Sequence, residues 1–160
     1  MTAKRIPVPE PIAPVNLGNG RVLYAPGVRA GPWVFATGHM AQDYAAGIAD
    51  AVLRPRHPNA KGPKRAREAA RIFDNVSAVL AGGGASLDRI VRTDQYYTTV
   101  AMVPPFQAER RKRLGQLIPP STSIVQAGLL LPGADLDWQV VAVAEEGPAI
   151  EHLDDAALRA

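Results

Sequence analysis

Two side chains, Asp137 and His39, could take part in acid–base chemistry and lie in or beside strand-like segments. Asp137 lies in the alternating run 134–144, which is typical of a β-strand and puts its carboxylate on the face opposite Trp138. A carboxylate held in this way can align a water molecule or act as a general base. His39 directly follows Gly38, and an imidazole there could titrate near neutral pH. Asp137 can equally be a structural hydrogen-bond acceptor, and the residues alone leave both interpretations open.

Other kinds of chemistry are not favoured. The chain has no cysteine, so disulfides, thiol nucleophiles and thiolate metal sites are excluded together. The remaining histidines, His57 and His152, show no metal-ligand spacing with each other or with acidic residues. We therefore expect neither a metal nor another cofactor.

Length and composition indicate one globular domain. Of the 160 residues, 47% are hydrophobic and 21% charged, which suits a packed core. The N-terminus lacks the apolar stretch of a signal peptide, and no apolar run approaches the roughly 20 residues that span a bilayer. We expect a cytoplasmic protein without membrane contact.

The net charge of +3 includes two basic clusters, 61–67 and 110–113, which predict solvated helix faces rather than a nucleic-acid surface.

The distribution of turn residues and apolar spacing predicts the elements. An extended N-terminal arm over 1–20 precedes a domain over 21–146 that contains a surface loop at about 43–63, and an acidic tail over 147–160 follows. Helices are predicted at 64–81 and from Pro104 to Leu117. Strands are predicted at 22–24, 27–30, 33–37, 90–100, 122–130 and 134–144.

Two helices can cover only one face of such a sheet. The other face would then expose a large apolar surface, which monomeric proteins seldom do. We therefore predict that the chain self-associates through the uncovered face.

Several segments stand in a characteristic order and spacing: Tyr24 and residues 27–38, 72–80, 84–91, 106–110, 120–126 and 133–144. Together they resemble the Rid family of reactive-intermediate deaminases, also called YjgF-like, over residues 20–145. The resemblance implies an α+β, chorismate-mutase-like single domain: a mostly antiparallel six-stranded sheet with two helices packed on one face. It also implies a homotrimer with a small-molecule cleft at each subunit interface.

Two positions matter most for the activity that the resemblance implies. In deaminating members, an arginine near the start of the fifth strand binds the substrate carboxylate, and a carboxylate on the last strand positions the attacking water. Counting back from the last strand without a gap puts Asp137 at the carboxylate position and Thr122 at the arginine position. Asp137 is one methylene shorter than the family's glutamate. Thr122 has a hydroxyl but no charge, and suits a neutral or amide-like group better than a carboxylate.

The resemblance also adds binding residues to Asp137, the expected catalytic group. Tyr24 matches a tyrosine that lines the cleft, and Thr37 and Gly38 match a position where the backbone approaches the ligand. With Thr122 and the adjacent His39, they form the expected substrate-binding set, although plain structural roles remain open for each. Candidates for the missing positive charge are Arg29, Arg54, Arg56 and Arg92.

These residues favour a cofactor-free hydrolase or deaminase that acts on an imine, an enamine or a related polar C–N bond. The alternative is a non-catalytic trimer that binds a metabolite or acts as a regulator. RNA cleavage, which is attached to some relatives, is less favoured because no convincing histidine pair is present.

Overall fold

The computed structural model of the chain describes residues 9–17, 22–44, 47–53 and 62–151. The helices are α1 (Asp50–Leu53), α2 (Lys64–Gly82) and α3 (Val103–Leu114). The strands are β1 (Glu10–Ile12), β2 (Val15–Leu17), β3 (Val22–Tyr24), β4 (Gly27–Ala30), β5 (Trp33–His39), β6 (Gln42–Asp43), β7 (Gly47–Ile48), β8 (Ile90–Tyr97), β9 (Ser121–Val125) and β10 (Leu136–Val143).

The main sheet has six strands in the order β1-β4-β5-β10-β8-β9. Every neighbouring pair is antiparallel except β8 and β9, which run parallel because α3 lies in the connection between them. Two small hairpins, β2-β3 and β6-β7, stand apart from it. The predicted mixed α+β class with a mostly antiparallel sheet is confirmed.

The two long helices begin and end where proline and glycine allow. Pro63 precedes α2, and the glycines that follow residue 81 close it. Helix α3 has proline in its first turn but ends at Leu114, three residues before the predicted end. The reason is Gly115, whose φ of 60° lies in the left-handed region and cannot continue a helix.

Both helices pack on the face of the sheet that contains Trp138. The Trp138 ring lies 4.5 Å from that of Phe73 in α2 and 5.4 Å from that of Phe106 in α3, and all three side chains are buried. Neither helix covers the opposite face, where Trp33 and Phe35 are 42% and 41% exposed. The packing thus decides which face meets the helices, which the alternation in the sequence had left open.

The segments outside this framework are only partly described. In the expected N-terminal arm, β1 pairs with β4 and buries Ile12 against the core. In the expected loop at 43–63, the described part contains β7 and α1, whereas residues 54–61 lie outside the described residues, as does the tail beyond residue 151. Within the described ranges, no helix is long and apolar enough to cross a membrane.

The basic clusters are largely engaged within the chain. Arg65 pairs with Asp135 at 3.1 Å, and Arg113 pairs with Asp74 at 2.8 Å. Arg110, which the sequence suggested was solvated, is instead buried. Its guanidinium donates to the Leu117 carbonyl at 2.6 Å because the chain after α3 folds back over it.

Candidate functional site

A cavity of about 470 Å³ lies beside the centre of the sheet, where β5 and β10 meet the β6-β7 hairpin. Four of the residues expected at the site line it: Tyr24, Thr37, Gly38 and Asp137. The remaining walls are Met40, Gln42, Asp43, Tyr44, Gly47, Leu130, Leu131 and Gln139.

A β-bulge forms the floor of the cavity. Trp138 pairs with His39 and Val140 with Ala36, so two residues of β5 oppose the single residue Gln139 of β10. These two residues are Thr37 and Gly38. A bulge bends its strand and redirects side chains, and such features are frequent beside active sites.

Gly38 provides the space that the Asp137 carboxylate occupies. A Cβ atom at Gly38 would lie 2.5 Å from both carboxylate oxygens and 2.8 Å from the carboxyl carbon. No side chain fits there without displacing the carboxylate. The glycine is therefore required by a close approach, rather than by a turn at the end of the strand.

The Asp137 carboxylate is held in an unfavourable state for a charged group. Its Oδ1 is buried and has no hydrogen-bond partner among the described residues. Burial raises the pKa of Asp137 above its ordinary value. An unpaired buried acceptor beside a cavity is a place where a ligand or a water molecule gains a hydrogen bond that the protein leaves unmade.

Three hydroxyl-bearing side chains form the polar side of the cavity. The Tyr24 hydroxyl lies 2.5 Å from Thr37 Oγ1, so these two groups share a hydrogen bond. The Tyr44 ring packs against that of Tyr24 with the centroids 5.7 Å apart. The two tyrosines thus form a continuous aromatic wall.

The structure places His39 behind the Tyr44 part of this wall. Its side chain is fully buried, and its Nε2–H donates to the Pro26 carbonyl at 3.1 Å. Burial lowers its pKa, so the ring is neutral and Nδ1 is left as an acceptor, 3.5 Å from the Tyr44 hydroxyl. This geometry suits support of Tyr44 better than contact with a ligand.

Thr122 is not brought to the cavity within one chain. Its side chain is exposed on β9, where it pairs with Asp94 of β8, which in turn pairs with Gln139 of β10. The spacing of strands puts it about 10 Å from Gln139. It lies on the face of the sheet that the helices leave uncovered.

The arginines proposed to replace the missing charge do not line the cavity, as far as they belong to the described residues. Arg29 bonds to the Gly83 carbonyl at 3.2 Å and pairs with Glu146, and Arg92 pairs with Asp94 at 3.2 Å. Arg54 and Arg56 lie outside the described residues. No lysine or arginine is among the cavity residues in the described part of the chain, and the same part contains no cluster suited to a metal.

Sequence reasoning missed part of the site. Tyr44 fell in a segment interpreted as a loop, Leu130 was the last residue of the predicted strand 122–130, and Leu131 lay just beyond it. A usable signal was present: the three consecutive leucines 129–131, directly before a Pro-Gly turn, break the alternation that a half-buried strand would show. Only the folded structure shows that Leu130 and Leu131 close one side of the cavity.

Solved structures of similar fold come from bacteria and yeast. Yeast Mmf1 superposes with a TM-score of 0.67 at 19% identity, covering 86% of this chain and 100% of its own. A probable translation initiation inhibitor from Rhodopseudomonas palustris gives 0.67 at 24%, covering 86% and 98%. RidA from a Psychrobacter species gives 0.61 at 19%, covering 82% and 93%. These identities establish the fold and no activity.

The sequence itself matches a family over most of its length. No curated protein matches the chain significantly. Residues 19–144, however, match the family described as Endoribonuclease L-PSP. This range includes every strand of the main sheet except β1, together with α2 and α3. The chain therefore belongs to the Endoribonuclease L-PSP family, the family also known as YjgF/Rid.

Proposed function

We propose that the protein is a cofactor-free hydrolase of a small imine, enamine or related polar C–N bond, with the attacking water aligned by Asp137. The main support is the meeting of Asp137 with Tyr24, Thr37 and Gly38 in one cavity, where a buried carboxylate oxygen lacks a partner. Imines hydrolyse readily, so positioning of water against the C=N carbon is the main requirement.

The reaction balances without a cofactor. The water oxygen bonds to the imine carbon, the C=N π pair moves to nitrogen, and the Asp137 carboxylate takes the water proton. The carboxyl returns this proton to nitrogen, which gives a carbinolamine. The carboxylate then takes the carbinolamine hydroxyl proton and passes it to nitrogen, the freed O–H electron pair forms the C=O bond as the carbon–nitrogen bond breaks, and the products are a carbonyl compound and ammonia or an amine. Burial raises the pKa of Asp137, which makes its carboxylate a stronger base than that of an exposed aspartate.

The proposal includes a homotrimer with its clefts at the subunit interfaces. The uncovered face exposes Trp33 and Phe35, together with Ile124 at 42%. These apolar groups give that face the character of an interface. Thr122 lies on the same face, so it would reach a cleft only from a neighbouring subunit.

Imine turnover tests the proposal. Imines would be generated in situ from amino acids or from amines by a suitable oxidase, and their disappearance and ammonia release followed. We expect acceleration by the wild type and a loss of about 100-fold or more in Asp137→Asn. Asp74→Asn is the matched control, since Asp74 pairs with Arg113 on the helix side of the sheet, away from the cavity and the uncovered face. Equal turnover in Asp137→Asn and wild type would refute the role of Asp137.

Binding without catalysis is the second candidate function. It is favoured by the absence of lysine and arginine from the described cavity walls, which removes the usual group for holding an imino acid. A protein that binds small amines or imines but accelerates no imine hydrolysis would have this function. RNA cleavage has less support, because both basic clusters engage carboxylates and carbonyls of the chain itself.

A further inference from the structure

The residues that line the cavity indicate a ligand preference that membership of the family does not predict. We propose that it binds small cations, protonated imines or amines with an apolar body and no carboxylate. This inference rests on the proposed function for its substrate class, but the binding preference itself can be tested independently.

The first support is the charge of the cavity. Asp137 projects a carboxylate into it with Oδ1 unpaired, and the described walls contain no lysine or arginine to offset that charge. A second carboxylate placed a few ångströms away would be repelled, and more strongly than in water because the site is partly buried. A protonated nitrogen would instead give Asp137 the charge-assisted hydrogen bond that it lacks.

The second support is the nature of the remaining walls. The Tyr24 and Tyr44 rings lie side by side with a 45° tilt, and Met40, Leu130 and Leu131 add apolar surface. Aromatic rings attract cations through their π electrons, and thioether and leucine side chains accept an apolar body without specific polar contacts. The volume of about 470 Å³ accommodates a ligand of the size of a substituted benzene ring or a short alkyl chain.

The same residues can carry out the reaction of such a ligand. One N–H of a protonated imine bonds to one oxygen of the Asp137 carboxylate, and water attacks the imine carbon while the other oxygen takes a water proton. The C=N π pair moves to nitrogen, which gives a neutral carbinolamine. Asp137 returns its proton to nitrogen, the hydroxyl proton follows as the C=O bond forms and the carbon–nitrogen bond breaks, and the products are a neutral carbonyl compound and an ammonium ion. An imine that lacks a carboxylate arises when a simple amine is oxidised. The reaction that supplies the substrate is therefore of the amine-oxidising class rather than the amino-acid-oxidising class.

Three stable probes of nearly equal size test the preference: 2-phenylethylamine, phenylalanine and 3-phenylpropionate. Calorimetry or ligand-observed NMR on the full chain at neutral pH would measure their affinities. We expect the amine to bind at least 10-fold more tightly than the propionate, with phenylalanine between them. In Asp137→Asn this difference should fall to about 2-fold or less, while the control Asp74→Asn keeps it, since Asp74 lies on α2, outside the cavity and away from the uncovered face.

Equal affinities, or tighter binding of the propionate, would overturn the inference and would mean that a cation from beyond the described walls completes the cavity. Failure of the two proposals can be told apart. Amine-selective binding without imine turnover removes the hydrolase and leaves the inference standing. Turnover that is faster with imines of amino acids than with carboxylate-free imines removes the inference and leaves the hydrolase standing.

Discussion

The two faces of strand β10 differ in what covers them. Leu136 and Trp138 point to the helices and are buried, with the indole ring enclosed by aromatic neighbours. Asp137 and Gln139, one residue away on each side, point to the cavity. Each face has a buried polar atom without a partner among the described residues, Trp138 Nε1 and Asp137 Oδ1, but only the Asp137 oxygen lies beside a cavity large enough for a ligand. One face of a single strand therefore stabilises the fold, while the other leaves a carboxylate oxygen available to a ligand.

Truncation on the covered face should have the largest effect on stability. Phe106→Ala removes a ring that contacts both Phe73 and Trp138, and large-to-small changes of this kind cost about 3–5 kcal/mol. Denaturant unfolding at fixed protein concentration would measure the loss. Val100→Ala is the control, because Val100 is 69% exposed and its truncation should cost well under 1 kcal/mol. Similar losses in both variants would contradict the assignment of the core to this face.

Charge on the uncovered face should break assembly instead of folding. Phe35→Glu puts a carboxylate where the proposed interface needs an apolar group, at a cost of about 3 kcal/mol per interface, or roughly 100-fold in association. Sedimentation should show loss of the trimer with the helical content unchanged. The control is Leu53→Glu, on α1, where Leu53 is 50% exposed. A trimer that persists in Phe35→Glu would place the interface elsewhere.

The covered face was largely predictable from local patterns. Apolar spacing in residues 64–81 and alternation in 134–144 predicted α2 and β10, because helices and strands repeat with different periods. The pairing of β1 with β4 was not predicted, since a proline-rich segment gives no local signal for its partner strand. Nor could alternation alone show that Trp138, rather than Asp137, faces the helices.

The site was predictable only in part, because it depends on register. Tyr24, Thr37, Gly38 and Asp137 line one cavity, and this geometry follows from a bulge that the sequence does not reveal. His39, two residues beyond Thr37, lies behind the wall because its fully buried ring bonds to the Pro26 carbonyl. Such cross-strand relations arise from long-range pairing, which no local pattern contains.

Filling the space at Gly38 should damage the cavity face while leaving the core intact. Gly38→Ala would force the Asp137 carboxylate away from a Cβ otherwise only 2.5 Å distant, at about 1–3 kcal/mol. Imine turnover and amine binding should both fall at least 10-fold, measured beside thermal unfolding. Gly128→Ala is a matched control, since a Cβ there meets nothing within 4 Å. Unchanged binding in Gly38→Ala would show that the carboxylate position does not matter.

Removing the charge at Asp137 should have the smallest effect on stability, and in the opposite direction. Because burial raises the pKa of Asp137 in the folded state, its ionisation weakens the fold as pH rises from the ordinary value of 3.8 through the raised one. Asp137→Asn should therefore be more stable than wild type at pH 7 by about 1 kcal/mol, or about 3 °C in Tm. The gain should shrink toward pH 4, and the control Asp74→Asn, on α2, should show none. A loss of stability at pH 7 would mean that the carboxylate is satisfied in solution, and the cavity face would then leave no carboxylate oxygen unpaired for a ligand.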